Sequence, residues 1–283
     1  MKLALTAAVA TLAIAPFAVS ASTLVTDFEA GSPWQQTLQA GGGSVEIVDL
    51  TGAGGALESD APLPGGAVRF ETTNDGADRA EIAVEGNFGT VSNIFNENLS
   101  FSYSLFKGDV GPPANTPALK LGFVNSGVTG TGIDRGFVQL IFEPYWNQPG
   151  SAGASQPVPT DEWLDYDIGF DSGLFWATGG FGEESGGGGP PLRTLEGWLN
   201  TFNAGFNDAV LFAVAIGVGT NNPNTLSFVD NVSIAGTSLD GTFDFEVAGA
   251  PGVIPVPAAL PLLGGGLAML GLVGWRKRRA GHA

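Results

Sequence analysis

The run DAVLFAVAIGV at residues 208–218 decides the fold, because it is nearly all apolar over the length of a single strand. An almost unbroken apolar run between turn-forming residues is typical of a strand that is covered on both sides. We therefore predict that residues 208–218 form a central strand, buried on both faces, and that the rest of the domain is built around it.

Eleven further segments have a period-2 or β-rich pattern and are separated by Gly, Pro, Asn and Asp. In one of them Arg69 and Glu71 alternate with Val68 and Phe70, the pattern of a sheet with one solvated face. The predicted strands are Thr23–Glu29, Ser44–Leu50, Ala67–Thr73, Arg79–Glu85, Leu99–Phe106, Ala118–Val124, Gly136–Glu143, Trp163–Phe170, Gly173–Ala177, Thr225–Ile234 and Thr242–Val247. Roughly a dozen strands in residues 22–247 predict one all-β domain, an antiparallel sandwich.

A single short helix interrupts the strands. Leu195, Trp198, Leu199 and Phe202 follow the i, i+3, i+4, i+7 spacing of an apolar helix face, and Thr194 is a candidate N-cap. We expect this helix to cover one end of the sandwich.

Four tryptophans lie in strand or helix patterns and are expected in the core: Trp34, Trp163, Trp176 and Trp198.

Residues 1–21 have the composition of a secretory signal peptide. Lys2 carries the only charge, residues 3–15 are apolar, and small residues precede a cleavage site after Ala21. We expect an N-terminal signal helix that signal peptidase removes, and export of the rest of the chain.

The C-terminal residues have the features of a membrane anchor. A Pro/Gly-rich linker covers residues 248–257, and residues 258–275 contain no charge. As a helix those residues would be roughly 27 Å long, close to the thickness of a hydrocarbon core. The basic cluster that follows, at the start of the tail 276–283, resists translocation. We expect a transmembrane helix in the inner membrane with its C-terminus in the cytoplasm. The cluster is Arg276, Lys277, Arg278 and Arg279.

The order of motif, short glycine-containing span and basic cluster resembles the PEP-CTERM class of sorting tails in its Val-Pro-x-Pro-Ala variant. The motif residues are Pro255, Val256, Pro257 and Ala258, with Val256 where the commonest form has Glu. The resemblance implies recognition by an exosortase-type transpeptidase, cleavage near the motif and delivery to the surface of a Gram-negative bacterium or its extracellular matrix. The alternative is a permanent single-span anchor that is never processed.

The exported segment is strongly acidic. Residues 22–252 contain all 28 acidic residues and six basic ones, a net charge of −22. Such a surface repels phosphate backbones, which excludes nucleic acid as a partner and favours divalent cations.

Three residue types that carry much of protein chemistry are missing from the exported segment. The chain has no Cys, its one His is His282, and its two Met are Met1 and Met269. Nucleophiles that need an imidazole base and zinc sites built on His or Cys are therefore excluded. Carboxylate chemistry and a metal site with oxygen ligands stay open.

Two segments near the ends of the domain carry a second resemblance. Asp27-Phe28-Glu29 and the segment Phe228–Ile234 resemble the opening and closing strands of jelly-roll carbohydrate-binding modules. The resemblance implies a jelly-roll-like sandwich in which these strands lie side by side and one structural calcium ion is held by Glu29 and Asp230. Two carboxylates do not complete a shell of about 6–8 oxygens, so backbone carbonyls would have to contribute. The alternative is that these carboxylates are solvated or close Asx turns.

An aromatic pair is the candidate ligand site. Tyr145 and Trp146 lie between two predicted strands and are flanked by prolines, so they are expected on a loop. Such a pair can stack on a sugar ring or contact a partner, or it can cover the open end of the sandwich.

The candidate carboxylates in the segment 163–171 are expected to be a solvated sheet face, although a catalytic pair could form among them or with Glu143. These carboxylates are Asp165, Asp167 and Asp171.

The sequence thus predicts an exported, exosortase-sorted surface protein whose sandwich domain binds polysaccharide and is not an enzyme. Two alternatives stay open: a carboxylate-based glycan hydrolase or lyase, and a purely structural surface protein without a ligand.

Overall fold

A computed structural model describes residues 22–63, 65–184 and 188–249, in which two β-sheets pack face to face. All strand pairings in this part of the chain are antiparallel except that of β1 with β13. The predicted all-β antiparallel sandwich is confirmed. The strands are β1 (Thr23–Val25), β2 (Gln35–Ala40), β3 (Ser44–Asp49), β4 (Gly66–Glu71), β5 (Arg79–Glu85), β6 (Ser100–Lys107), β7 (Ala118–Val124), β8 (Asp134–Phe142), β9 (Trp163–Gly169), β10 (Phe175–Phe181), β11 (Val210–Val218), β12 (Leu226–Ala235) and β13 (Gly241–Phe245).

The seven-stranded sheet is organised around β12. Along one edge β12 pairs with β6, which pairs with β9. Along its other edge, the first half of β12 pairs with β4 and the second half pairs with β13. Strand β3 then pairs with β4, and β1 pairs with β13. The change of partner coincides with a bulge between Asp230 and Ser233, where Asn231 has a φ of 53°.

The six-stranded sheet has the order β10-β8-β7-β11-β5-β2. The apolar run 208–218 supplies β11, which lies between β7 and β5 as predicted for a central strand. Its inward side chains are buried, and so are the outward Ala215 and Gly217, whereas the outward Phe212 and Ala213 are only half-buried. Burial on both faces is therefore confirmed for one half of the strand.

The main core lies between the sheets and is rich in aromatic rings. Trp34 is fully buried and contacts Phe243 edge-to-face, with ring centroids 5.5 Å apart. Trp198 is fully buried as well, and its indole N–H donates to Phe175 O at 2.9 Å. Truncating a buried aromatic typically costs about 3–5 kcal/mol, so these residues stabilise the packing of the sheets.

The predicted helix is α3 (Leu195–Leu199), and the Thr194 side chain caps it by accepting from Gly197 N at 3.0 Å. The structure adds helices that the sequence analysis missed, all too short to show an apolar periodicity. They are α1 (Gly55–Ser59), α2 (Val91–Ile94) and the 3-10 helices Pro144–Trp146 and Ala204–Phe206.

The prediction for β1 was too long, and β2 was missed. Residues after Val25 turn away: Glu29 N donates to Asp27 Oδ1 at 3.0 Å and Ser32 N donates to Glu29 O at 3.0 Å. Strand β2 has the sequence QQTLQA and lies at a sheet edge with mostly exposed side chains, so it has neither an apolar face nor β-branched residues in number.

Among the residues described here, no helix is long and apolar enough to span a bilayer. The predicted signal peptide, transmembrane helix and basic tail lie outside the described residues.

Candidate functional site

The outer face of the six-stranded sheet presents polar and aromatic side chains. On β8 the residues Val138, Leu140 and Phe142 point into the core and are buried. Their neighbours Gln139 and Ile141 therefore point outward, since successive side chains of a strand alternate. The same alternation on β10 buries Phe175 and Ala177 in the core and leaves Trp176 on the outer face, half-buried and paired in register with Ile141.

An ion pair crosses this face. Lys120 on β7 donates from Nζ to Glu81 Oε2 on β5 at 2.6 Å, with side chains 12% and 14% exposed. Strand β11 lies between the two residues, with Ala215 opposite Lys120 and Gly217 opposite Glu81. Small side chains there leave room for the lysine to reach across the strand.

Glu143 directly follows β8 and lies at the end of this face. Burial raises the pKa of its carboxyl group, and the indole N–H groups of Trp176 and Trp146 and the ammonium of Lys120 offset part of that rise. Trp176 Nε1 makes no hydrogen bond of good geometry within the described residues, so it acts on the carboxylate as a nearby dipole.

Trp146 is positioned by a 3-10 helix rather than by the predicted loop. Pro144 fixes the first residue of the helix Pro144–Trp146, and Asn147 caps it through its backbone. The indole N–H of Trp146 donates to Gly188 O at 3.3 Å, on the segment between β10 and α3. We call Glu81, Lys120, Glu143, Trp146 and Trp176 together the Glu143 site.

Tyr145 is half-buried and packs on both the core and Trp146, with ring centroids 4.6 Å apart. It also lines an open cavity of about 260 Å³ whose other walls are largely proline: Pro112, Pro113 and Pro157. Tyr145 thus covers core residues, which is one of the two roles considered for the pair, while Trp146 lies near Glu143.

Sequence reasoning found Glu143 and Trp146 as candidates but missed the other three members. Trp176 was expected in the core, and that was wrong: on its strand Phe175 and Ala177 point into the core, so Trp176 points outward. Trp163 was also expected in the core, but it is half-buried on the outer face of the other sheet. Lys120 and Glu81 are 39 residues apart, and only the sheet register brings them together. The signal that could have found Trp176 is the alternation in FWATGGF.

The carboxylates on β9 and just after it are exposed, as predicted for a solvated sheet face. Asp165, Asp167 and Asp171 are exposed, and Ser104 Oγ donates to Asp165 Oδ1 at 2.6 Å.

The two residues implied as calcium ligands have very different environments. Strand β13 lies between β1 and β12, so the strands that were expected to be neighbours are not paired with each other. Glu29 is exposed and belongs to the Asx turn closed by Asp27, which is the alternative considered for it. Asp230 is fully buried at the point where β12 changes partner, and Phe245 N donates to its Oδ1 at 3.4 Å.

Asp230 instead has two other carboxylates near it, supplied by β13 and the residue after it. Asp244 and Glu246 are 5% and 3% exposed. Within the described residues, one oxygen of each of the three side chains accepts no hydrogen bond: Asp230 Oδ2, Asp244 Oδ1 and Glu246 Oε1. We call these three residues the Asp230 cluster.

Electrostatics sets the Asp230 cluster apart. Burial, and to a smaller extent the charges of Asp244 and Glu246, raise the pKa of Asp230 to about 8. Burial also raises the pKa of Asp244, and burial with the charge of Asp244 raises that of Glu246. The orphaned oxygens suit a hard cation chemically, but across residues 22–63, 65–184 and 188–249 no three acidic or histidine side chains have the arrangement of a metal site.

The remaining predicted site residues, those for processing and sorting, lie outside the described residues.

Comparisons with known proteins found no matching family model and no matching curated protein. Among solved structures the chain is similar to a family 11 carbohydrate-binding module from Clostridium thermocellum in complex with a β-1,3-1,4-mixed-linked tetrasaccharide, with 15% identity over 75% of this chain and 94% of the other and a TM-score of 0.37. It is also similar to an endo-β-1,4-glucuronan lyase from the fungus Trichoderma reesei, with 12% identity over 78% of this chain and 98% of the other and a TM-score of 0.39. Similarities at this level carry no information on the ligand or activity of this chain.

Proposed function

We propose that this chain is an exported surface or extracellular-matrix protein whose sandwich domain binds polysaccharide at the Glu143 site without cleaving it. The observation that carries the proposal is the pairing of two half-buried indoles, Trp146 and Trp176, with the carboxylate of Glu143 on the outer face of the six-stranded sheet. Aromatic surface that stays accessible beside polar acceptors is the usual composition of a sugar-binding site.

The site would act by contact alone. Indole surface can stack against the apolar side of a sugar ring, while Glu143 accepts hydrogen bonds from ring hydroxyls. The Lys120–Glu81 pair holds the floor of the site rigid, since both side chains are mostly buried. Rigid side chains lose little entropy when a ligand binds.

A glycan array probed with residues 22–252 tests this proposal, because that segment contains the whole sandwich. Trp176→Ala should weaken binding of any positive glycan by about 30-fold, the loss expected from about 2 kcal/mol at an interface hot spot. Trp163→Ala, which removes a half-buried tryptophan from the opposite outer face, should leave affinity unchanged. Absence of binding to every glycan would favour the purely structural alternative.

A glycan hydrolase or lyase is the second candidate, because one observation favours it. Glu143 has a raised pKa, as a general acid needs, and Glu81 lies on the same face. Against it, Glu81 is held by Lys120 and by Thr37 Oγ1, which donates to it at 3.0 Å. Release of reducing ends or unsaturated products from a bound glycan, abolished by Glu143→Gln, would establish catalysis and overturn the binding-only proposal.

The export and sorting steps belong to the same proposal. Signal peptidase would cut after Ala21, and an exosortase would cut near Pro255–Ala258 and discard the span. Mass spectrometry of the protein recovered from the surface of its own cells tests both cuts. Recovery of a chain that still ends in Arg276–Arg279 would show a permanent anchor instead.

We also propose that a structural calcium ion binds at Asp230 with Asp244 and Glu246 rather than with Glu29. Because the three side chains are not arranged as a metal site in the described residues, they would have to turn towards the ion. The three buried carboxylates have orphaned oxygens, whereas Glu29 is exposed. Calcium would supply the positive charge that the cluster lacks.

A further inference from the structure

The charge around the Glu143 site restricts the chemical class of its ligand. This step rests on the proposed function and concerns which polysaccharide the site takes. The exported segment has a net charge of −22. Its surface can therefore attract an anion only where one of its six basic side chains is accessible and not already paired.

Four of the six basic side chains are already engaged. Arg69 pairs with Glu46 and Glu71, and Arg193 lies over the Trp198 ring at 5.3 Å. Lys107 is 1% exposed and donates from Nζ to Gly108 O and Val110 O.

The fourth engaged base is Lys120, in the Glu143 site itself. Its Nζ is 2.6 Å from Glu81, and among the described residues Glu143 has no ion pair within 4.0 Å. The two remaining bases are exposed: Arg79 lies two residues along the same side of β5 from Glu81, and Arg135 lies near the opposite end of β8 from Glu143.

The Glu143 site therefore has one carboxylate more than it has cations. Beyond these five residues, Arg79 and Glu85 begin and end β5 on the same side of the strand as Glu81, and their opposite charges offset one another. An acidic glycan such as a polyuronate would be repelled by the unpaired Glu143 carboxylate, because Lys120 of the site is paired with Glu81. A neutral glycan would gain hydrogen bonds, but it would leave the excess charge unbalanced.

We propose that the Glu143 site binds a glycan that carries protonated amino groups, that is, a polymer of wholly or partly deacetylated amino sugars. The ammonium group would lie against the Glu143 carboxylate, where it balances the excess charge, and Trp146 and Trp176 would flank the sugar that bears it. A charge-assisted hydrogen bond to a half-buried carboxylate is about twice as strong as a neutral one.

The test compares three oligosaccharides of equal length and linkage by isothermal titration calorimetry: β-1,4-linked glucosamine, its fully N-acetylated form and the corresponding gluco-oligosaccharide. Measurements are made at a pH at which the ligand amines are protonated, at low and at physiological salt. We expect the glucosamine oligomer to bind at least tenfold more tightly than the other two. Glu143→Gln should remove that preference, because a neutral amide cannot pair with the ammonium group.

A domain this acidic attracts any polycation, so a matched control is needed. Glu97→Gln removes the same charge from an exposed residue outside the site and should preserve the tenfold preference. Thermal melting of both variants confirms that they fold. If Glu97→Gln lowers binding as much as Glu143→Gln does, the attraction is unspecific and the inference is overturned.

The remaining outcomes separate this inference from the proposed function. Equal binding of charged and neutral oligomers, with both lost in Trp176→Ala, would overturn the amino-sugar inference and keep the glycan site. Tighter binding of a polyuronate would overturn the charge argument in the same way. No Trp176-dependent binding of any glycan would overturn both.

Discussion

The two outer faces of the sandwich each contain carboxyl groups with raised pKa values, but they differ in what surrounds them. On the six-stranded sheet, Glu143 is half-buried beside two indole N–H groups and a lysine. On the seven-stranded sheet, the Asp230 cluster is more than nine-tenths buried and has no base beside it in the described part of the chain. At the Glu143 site an external ligand can reach the carboxylate and balance its charge. In the Asp230 cluster the charge of the three buried carboxylates can be balanced only by protons or by a cation inside the protein.

The two groups of carboxylates differ because only one of the two faces is covered by other parts of the chain. The seven-stranded sheet has a second small apolar cluster on its outside, formed by Leu50, Ala67, Phe106 and Phe228, against which residues of α1 pack. Gly65, in the segment that leads from α1 back to β4, has a φ of 116° and directly adjoins the Glu246 carboxylate, so a Cβ there would collide with it. The Asp230 cluster is thus enclosed by its own chain, and the Glu143 site is not.

The largest expected effect of this contrast is on stability as a function of pH. Because the pKa of Asp230 is raised from 3.8 to about 8, the folded state binds its proton more tightly than the unfolded state does. With calcium removed by a chelator, the contribution of Asp230 to the free energy of unfolding should be greatest below about pH 4. It should be lost as the pH rises through 8. We expect the Tm to drop by at least about 5 °C between pH 5 and 9, at 2–4 °C per kcal/mol for a domain of this size.

Two variants check the assignment of that pH dependence. Asp230→Asn should remove most of the fall and melt higher than the parent at pH 9, because the amide cannot ionise. Asp165→Asn, which changes an exposed carboxylate on β9, the strand beyond β6 in the same sheet, should keep the fall. An unchanged slope in Asp230→Asn would show that the Asp230 cluster does not control it.

Calcium binding at the Asp230 cluster should have the second largest effect, again on thermal stability. If the Asp230 cluster holds the ion, millimolar calcium added to chelated protein at pH 8 should raise the Tm by several degrees, since a ligand at 100 times its Kd stabilises by about 2.7 kcal/mol. Glu246→Gln should abolish the shift and Glu29→Gln should not. A shift lost only in Glu29→Gln would restore the ligand pair implied by the sequence, and no shift in the parent would leave the proton as the cluster's only partner.

The sequence was sufficient to predict the all-β sandwich and two of the five residues of the Glu143 site. Alternating and continuous apolar runs predicted twelve of the strands, because core burial imposes its period on the sequence. Strand β2 escaped detection because an exposed edge imposes no such period. Glu143 and Trp146 could be singled out locally, whereas Lys120 and Glu81 meet only through the register of β7, β11 and β5.

The Asp230 cluster shows the same limit more clearly. The tripeptide Asp-Phe-Glu occurs at residues 27–29 and again at residues 244–246. Sequence resemblance selected the first copy, but β13 inserts beside β12 and brings the second copy to Asp230. Which of two identical tripeptides contacts a given strand depends on topology, and no local pattern contains that information.

The smallest effects concern the ion pairs of the two faces. Lys120→Met should cost about 1–3 kcal/mol in chemical denaturation, because it leaves the mostly buried Glu81 without its partner. Its effect should shrink in a Glu81→Gln background, where no charge is left unpaired, and this coupling is read from the double-mutant cycle. Equal costs in both backgrounds would mean that the lysine contributes through packing alone.

Arg69→Met is the counterpart on the seven-stranded sheet and should cost no more than about 1 kcal/mol. Arg69 pairs with Glu46 and Glu71, whose side chains are each 51% exposed, so water can solvate both carboxylates once the arginine is gone. Moderate salt should reduce even this small loss, because exposed charges are screened. A loss as large as that of Lys120→Met would contradict this difference between the two faces, since it would mean that the exposed pairs of one sheet stabilise the domain as much as the enclosed pair of the other.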